Sequence, residues 1–154
     1  MRPILEYIIS KSSKRYTIKA TDDTIHQIVK DELDRLGHDA DLNHIDVSEV
    51  TDMNHLFSCS NNPNLGIKYN DLNPDISRWN VSKVKDMSYM FHNCVNFNCN
   101  ISNWNVSKVE NMRGIFDNCE NFNQDISRWN IQNVKYYALM FYNCHIKEEY
   151  KPKI

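Results

Sequence analysis

Glycine and proline are scarce in this chain, at 3 and 4 of 154 residues. That excludes a collagen-like or linker-dominated polypeptide, and 41% hydrophobic content with 3 Trp, 8 Tyr and 6 Phe excludes a disordered one. No apolar run approaches the ~20 residues a membrane helix needs. The opening Met1-Arg-Pro-Ile-Leu-Glu-Tyr-Ile-Ile-Ser is too short in its apolar part for a leader and is broken by Glu6. The chain is therefore expected in the cytoplasm, without a membrane partner, or outside the cell if a leader was removed. A net charge of −2 gives no global attraction to nucleic acid. A glycine-rich phosphate loop is missing, and His26, His38, His44, His55, His92 and His145 fall in no metal-ligand spacing. No Ser or Cys stands in a nucleophile motif. These absences lead us to expect no enzyme, no cofactor, no metal and no small-molecule substrate.

The charge is unevenly spread. Residues 21–52 hold ten acids against Lys30 and Arg35, whereas residues 1–20 hold five bases against Glu6. Five cysteines, Cys59, Cys94, Cys99, Cys119 and Cys144, lack the local spacing of a zinc site. An odd number in a leaderless chain reads as buried, reduced thiols.

What the chain has is a repeat. Trp79, Trp104 and Trp129 stand 25 residues apart. The stretch from Asp75 to Cys94 returns from Asn100 to Cys119 and again from Asp125 to Cys144. A fixed period of this length predicts stacked units that bury their apolar faces only against one another. Ile45-Asp-Val-Ser-Glu-Val-Thr-Asp-Met-Asn-His-Leu-Phe57 matches residues 79–91 at an offset of 34, so a degenerate first unit precedes the three. The extra nine residues lie within a polar insertion at about 60–74.

Within a unit, Val84, Met87, Met90, Phe91 and Cys94 recur at intervals of three and four, which predicts one helical face. Ser82 and Ser107 look like N-caps, the latter in a capping box with Glu110. The piece ending at Ile-Ser-x-Trp is expected to form one strand of a narrow parallel sheet. In-phase asparagines (Asn93, Asn118 and Asn143 among them) are expected to pair with main-chain groups and with one another along the stack.

Residues 1–40 read differently. Residues 4–9 and 16–20 favour strand on either side of a polar turn. Thr21-Asp-Asp offers N-cap chemistry to a helix carrying Ile25, Ile28, Val29, Leu33 and Leu36, and Gly37 is a natural stop. The expected organisation is a ββα cap over 1–40, a four-unit solenoid over 41–145 and a charged tail over 146–154. The fold class is α/β repeat.

The pattern Trp-Asn-Val-Ser-x-Val-x-x-Met-x-x-Met-Phe-x-x-Cys-x-x-Phe-Asn-x-x-Ile-Ser, over roughly 42–145, resembles the tandem repeat of the BspA-like leucine-rich-repeat family. The resemblance implies a short leucine-rich-repeat-like solenoid, with a helix and a short parallel strand per unit, that recognises proteins. Positions that vary between units are then the candidate partner contacts. These are Arg78, Asn103 and Arg128 in one column, with Lys83 and Lys108 beside it, and Tyr89 and Tyr142 from two others. An alternative is a phage or mobile-element inhibitor that occupies the basic groove of a nucleic-acid enzyme with the acidic segment, including Asp31 and Asp34. Direct nucleic-acid binding is not expected. The uncovered last unit permits a two-fold dimer, but a monomer is favoured.

Overall fold

A computed structural model describes residues 16–59 and 71–154. Among them are one α-helix, a two-stranded parallel sheet, a short 3-10 helix and a long, mostly irregular remainder built around a large aromatic core. Strand β1 (Ile18–Lys19) pairs in parallel with β2 (Ile45–Asp46), Ile18 opposite Ile45. Helix α1 (Ile25–Leu36) makes the crossover between them.

The helix lies where its apolar spacing placed it, burying Ile25, Val29 and Leu33. Gly37 ends it at φ 103°, with its N–H donated to the Leu33 carbonyl. The start differs from expectation. Thr24 occupies the cap position without a side-chain cap bond. Asp22 turns away from the helix and accepts from Thr51 N at 2.7 Å, Thr51 Oγ1 at 2.6 Å and Asp52 N at 3.1 Å. A carboxylate that could have capped α1 instead ties it to the first repeat unit. The expected strand at 4–9 and most of the 60–74 insertion lie outside the described residues. Strand β1 falls within the expected 16–20 segment, and its partner among the described residues is β2.

The helix expected in each unit does not form. In the second and third units its apolar residues are all inside: Val84, Met87, Met90, Phe91 and Cys94 are fully buried, as are Val109, Met112, Ile115, Phe116 and Cys119. The backbone between them, however, is a chain of tight turns. Met90 N donates to Met87 O, His92 to Tyr89, Cys94 to Phe91 and Phe97 to Cys94. Tyr89 (φ 53°) and Asn93 (φ 61°) sit in the left-handed region, which no right-handed helix can contain. Successive turns reset the chain every three to four residues, so they mimic helical spacing in the sequence. Ser82 and Ser107 are not helix caps either; their N–H groups donate to Asn80 and Asn105 two residues earlier. Glu110 pairs with Lys135 at 2.6 Å instead of closing a capping box.

The remaining main-chain groups bond sideways, from unit to unit. Met53, His55, Phe57 and Cys59 donate their N–H groups to the carbonyls of Asp86, Ser88, Met90 and His92 at 2.8–3.0 Å. Met87, Tyr89, Phe91 and Asn93 donate likewise to Asn111, Arg113, Ile115 and Asp117. Met112, Gly114, Phe116 and Asn118 donate to Tyr136, Ala138, Met140 and Tyr142. Parallel bridges run through Asp52, Asp86, Asn111 and Tyr136. The parallel contact thus runs chiefly through the turn segment; near Ile-Ser-x-Trp, where a strand was expected, the only such bridge among the described residues joins Asp41 to Asp75.

Side chains follow the same period. Phe57, Phe91, Phe116 and Phe141 stack at centroid spacings of 5.6, 5.7 and 5.8 Å. Phe97 and Phe122 form a second column, each about 4 Å from a ring of the first (Phe91 at 4.0 Å, Phe116 at 4.1 Å). The three tryptophans are buried, and each donates its indole N–H back one unit: Trp79 to Leu42 O, Trp104 to Ile76 O and Trp129 to Ile101 O. The asparagine ladder is present: Asn118 Nδ2 donates to Asn93 Oδ1 at 2.8 Å and Asn143 Nδ2 to Asn118 Oδ1 at 3.0 Å. All three have positive φ, which asparagine tolerates better than most residues. Cys94 and Cys119 are free, buried thiols whose Sγ atoms each lie 2.9 Å from a carbonyl of the preceding unit. Burial, with neighbouring thiols adding to it, pushes both well above the ordinary thiol range.

The charged tail is partly docked. Ile146 is buried, Ile126 N donates to Tyr150 O, and Lys147 N donates to Asn123 Oδ1. Beneath α1 lies one buried acid, Glu32, which accepts from Arg35 Nε at 3.0 Å, Arg35 Nη2 at 2.7 Å, Tyr16 OH at 3.1 Å and His44 Nε2 at 2.5 Å. Burial alone would raise its pKa, but the bonds from Arg35 and His44 outweigh burial and hold it below the usual carboxylate range.

Two predictions follow from this packing. Phe116 touches four aromatic rings, so Phe116→Ala should cost about 3–5 kcal/mol in urea unfolding. Glu32 has a depressed folded pKa, so its contribution is complete above the unfolded carboxylate value and is lost as pH falls through the folded one. Glu32→Gln should therefore destabilise by about 1–3 kcal/mol at pH 7 and flatten the loss of stability between pH 5 and pH 3, measured by denaturant titration at each pH.

Candidate functional site

The stack sorts the repeat into two classes of position. The recurring tryptophans and most recurring phenylalanines are inside, and several positions that vary form columns on one flank. Arg78, Asn103 and Arg128 are all exposed, as are Lys83, Lys108 and Asn133. The local cause is a turn built on the preceding acid or amide. Asp75 accepts the N–H and hydroxyl of Ser77, Asn100 those of Ser102, and Asp125 those of Ser127. The following residue of each unit then projects outward, while the tryptophan beside it turns in. The Ser77 and Ser127 bonds, with Arg78 and Arg128 adding a smaller effect, hold Asp75 and Asp125 below the usual carboxylate range.

Charge on this flank is mixed. Arg78 reaches Asp41 at 3.8 Å and Lys83 meets Glu49 at 2.8 Å. Glu110 and Lys135 pair at 2.6 Å, which lowers the acid and raises the amine. Lys85, Lys108, Glu110, Gln132, Asn133 and Lys135 line a shallow open depression of about 380 Å³. Such a surface offers solvated donors of both charge-assisted and neutral kinds, suited to carboxylates and main-chain carbonyls of a partner. Among the described residues no group of three or more His, Cys, Asp or Glu could hold a metal ion, and no helix is long and apolar enough to cross a membrane.

Other candidates land elsewhere. Tyr89 is half-buried, its ring stacked on His55 at 5.1 Å and pressed over Gly114. A Cβ at Gly114 would lie 2.4 Å from that ring, and the residue needs φ 58° as well. Tyr89 therefore does not stand in the exposed column expected of it, and a lone glycine at the equivalent repeat position in a glycine-poor chain is the signal of such a close approach. Tyr142 is exposed as expected, but its repeat equivalents are not, because His92 and Asp117 face each other across units at 3.1 Å. Asp31 accepts from Gln27 and Asp34 pairs with Lys30, both at 2.8 Å along α1. Much of the acidic segment is engaged locally: Asp41, Asp46 and Asp52 each accept the N–H two residues ahead, Asp22 joins Thr51, and Glu32 is buried. Sequence reasoning missed the Tyr16–Glu32–Arg35–His44 cluster, whose members are scattered along the chain.

No curated protein and no solved structure matches this chain. A family model described as "Mycoplasma protein of unknown function, DUF285" covers residues 33–150, which takes in the end of α1, all the repeat units and the docked part of the tail. Most of the chain, and all of its repeating part, thus belongs to the DUF285 family.

Proposed function

We propose that this chain is a non-catalytic protein-recognition module, a short leucine-rich-repeat-like solenoid that reads a protein partner with the flank bearing Arg78, Asn103 and Arg128. The resemblance of its repeat to BspA-like arrays supports this reading. The observation that carries it is the division of labour within the period. The recurring Trp positions and Phe91 and Phe116 are buried between units, and Asn93, Asn118 and Asn143 bond one another across them, whereas the Arg/Asn and Lys/Asn columns face outward and make only solvated contacts. Outward columns that vary on a repeated scaffold are how stacked arrays present extended binding surfaces. Exposed ion pairs contribute little to stability, about 0–1 kcal/mol each, so folding alone gives these side chains little to do.

Arg78→Glu combined with Arg128→Glu should reduce recovery of the main protein captured from lysate by roughly tenfold or more, as expected for loss of hot-spot contacts. Circular dichroism and the urea midpoint should stay unchanged. Equal recovery by the variant would exclude this flank.

A further inference from the structure

One cysteine stands out of phase with the others. Cys94, Cys119 and Cys144 share a repeat position, and their thiols turn onto carbonyls: Phe57 O and Phe91 O at 2.9 Å, Phe122 O at 3.7 Å. Cys59 belongs to a different column. Its N–H donates to His92 O, just as that of Asn93 donates to Asp117 O and that of Asn118 to Tyr142 O. The first unit therefore holds a cysteine where the next three hold the laddered asparagines Asn93, Asn118 and Asn143. This exchange places two thiols side by side at the first interface. Cys59 Sγ lies 3.5 Å from Cys94 Sγ, in van der Waals contact.

The two thiols have unlike surroundings. Cys94 is fully buried, and burial works against its thiolate, whereas Cys59 is only half-buried. A sulfur that solvent reaches thus stands against one that it does not. That is the arrangement of an attacking cysteine and the cysteine that resolves its first product. Both thiols also share one acceptor, Phe57 O, at 2.9 Å from Cys94 and 3.6 Å from Cys59.

We propose that Cys59 and Cys94 form a modification site, at which a small-molecule disulfide oxidises the pair to a bond that staples the first unit to the second. Cys59 loses its proton to solvent and attacks one sulfur of the small disulfide. That S–S bond breaks, and one small thiolate leaves and takes up a proton. The Cys94 sulfur then attacks Cys59 Sγ, gives its own proton to solvent and expels the second small thiol. Two protein thiols are oxidised, and one small disulfide is reduced to two thiols. The sulfurs must close from 3.5 Å to about 2.05 Å, a movement that side-chain rotation at half-buried Cys59 supplies. The new bond encloses residues 60–93 in a covalent loop, which restricts the unfolded chain. Phe57 O loses two weak S–H donors, a smaller effect than closing a loop of that length. Arg78 and Arg128 take no part, so the site stands apart from the recognition proposed above.

The test treats the dilute, folded protein with mixtures of oxidised and reduced glutathione, quenches it in acid and alkylates what remains free. Free thiols should fall from five to three. Chymotryptic cleavage after Phe91 and Phe97 separates Cys94 from Cys99, and the cross-linked peptides should carry Cys59 and Cys94. The urea midpoint of the oxidised protein should rise by roughly 1 M or more and return when dithiothreitol is added. Cys59→Ser should fold, keep its four thiols free and show no such rise, while Arg78→Glu with Arg128→Glu should oxidise like the parent protein. Any of four results would overturn the proposal: no loss of thiols unless urea is present, glutathione left on Cys59 with Cys94 free, a bond between other cysteines, or an oxidised protein whose midpoint does not rise.

Discussion

The structure rests on the satisfaction of main-chain groups between units. A segment such as 87–93 buries its backbone without forming a helix or a regular strand, and buried N–H and C=O groups left unpaired would each cost about 1–3 kcal/mol. The solution is lateral: one unit's N–H groups meet the next unit's carbonyls, four at a time, over three successive interfaces. Everything else conforms to that spacing. The phenylalanine column has a pitch of 5.6–5.8 Å because the backbones carrying it are locked together, and the asparagine amides reach each other for the same reason. The left-handed residues at Tyr89, Gly114 and Leu139, and at Asn93, Asn118 and Asn143, turn the chain so that alternate groups can point sideways.

The ends of such a stack set different problems. At the first unit, α1 supplies Ile25 and Val29 as cover and His26 as a polar partner, and Asp22 in the turn before it supplies another. The buried Glu32, with Arg35, His44 and Tyr16 around it, fixes the helix to the strand pair. A buried carboxylate is costly alone, and here it is matched by a guanidinium, a ring N–H and a phenol. Beyond the fourth unit, residues 146–150 dock back on it through Tyr150, Lys147 and Ile146.

Much of this was legible in the sequence. The 25-residue period and the 34-residue offset at Ile45 match the spacing of the unit-to-unit bonds, and most recurring Val, Met, Phe, Trp and Cys positions are buried. The body and the end of α1 were legible because an amphipathic pattern with a glycine stop is a local signal, whereas its capping at Thr21–Asp23 was not realised. The backbone of the repeat was not. A string of three-residue turns and an α-helix both place apolar residues three or four apart, and only φ at Tyr89 and Asn93 separates them. At the flank, Arg78 and Arg128 were readable as exposed because variation within a repeat reports solvent. Tyr89 was misread because its burial depends on what Gly114 leaves open one unit away. The Asp22 bond to Thr51 and the Glu32 cluster join residues 12 to 30 positions apart, beyond the reach of any pattern along the chain.

The one-way polarity of the ladder also bears on how chains of this kind change length. The interface from the second unit to the third and that from the third to the fourth use equivalent donors, acceptors and rings. A duplication of 25 codons in register would therefore insert a new unit between two that already fit it. Neither α1 nor the tail would meet an unfamiliar surface. The number of units is in this sense decoupled from the integrity of the fold.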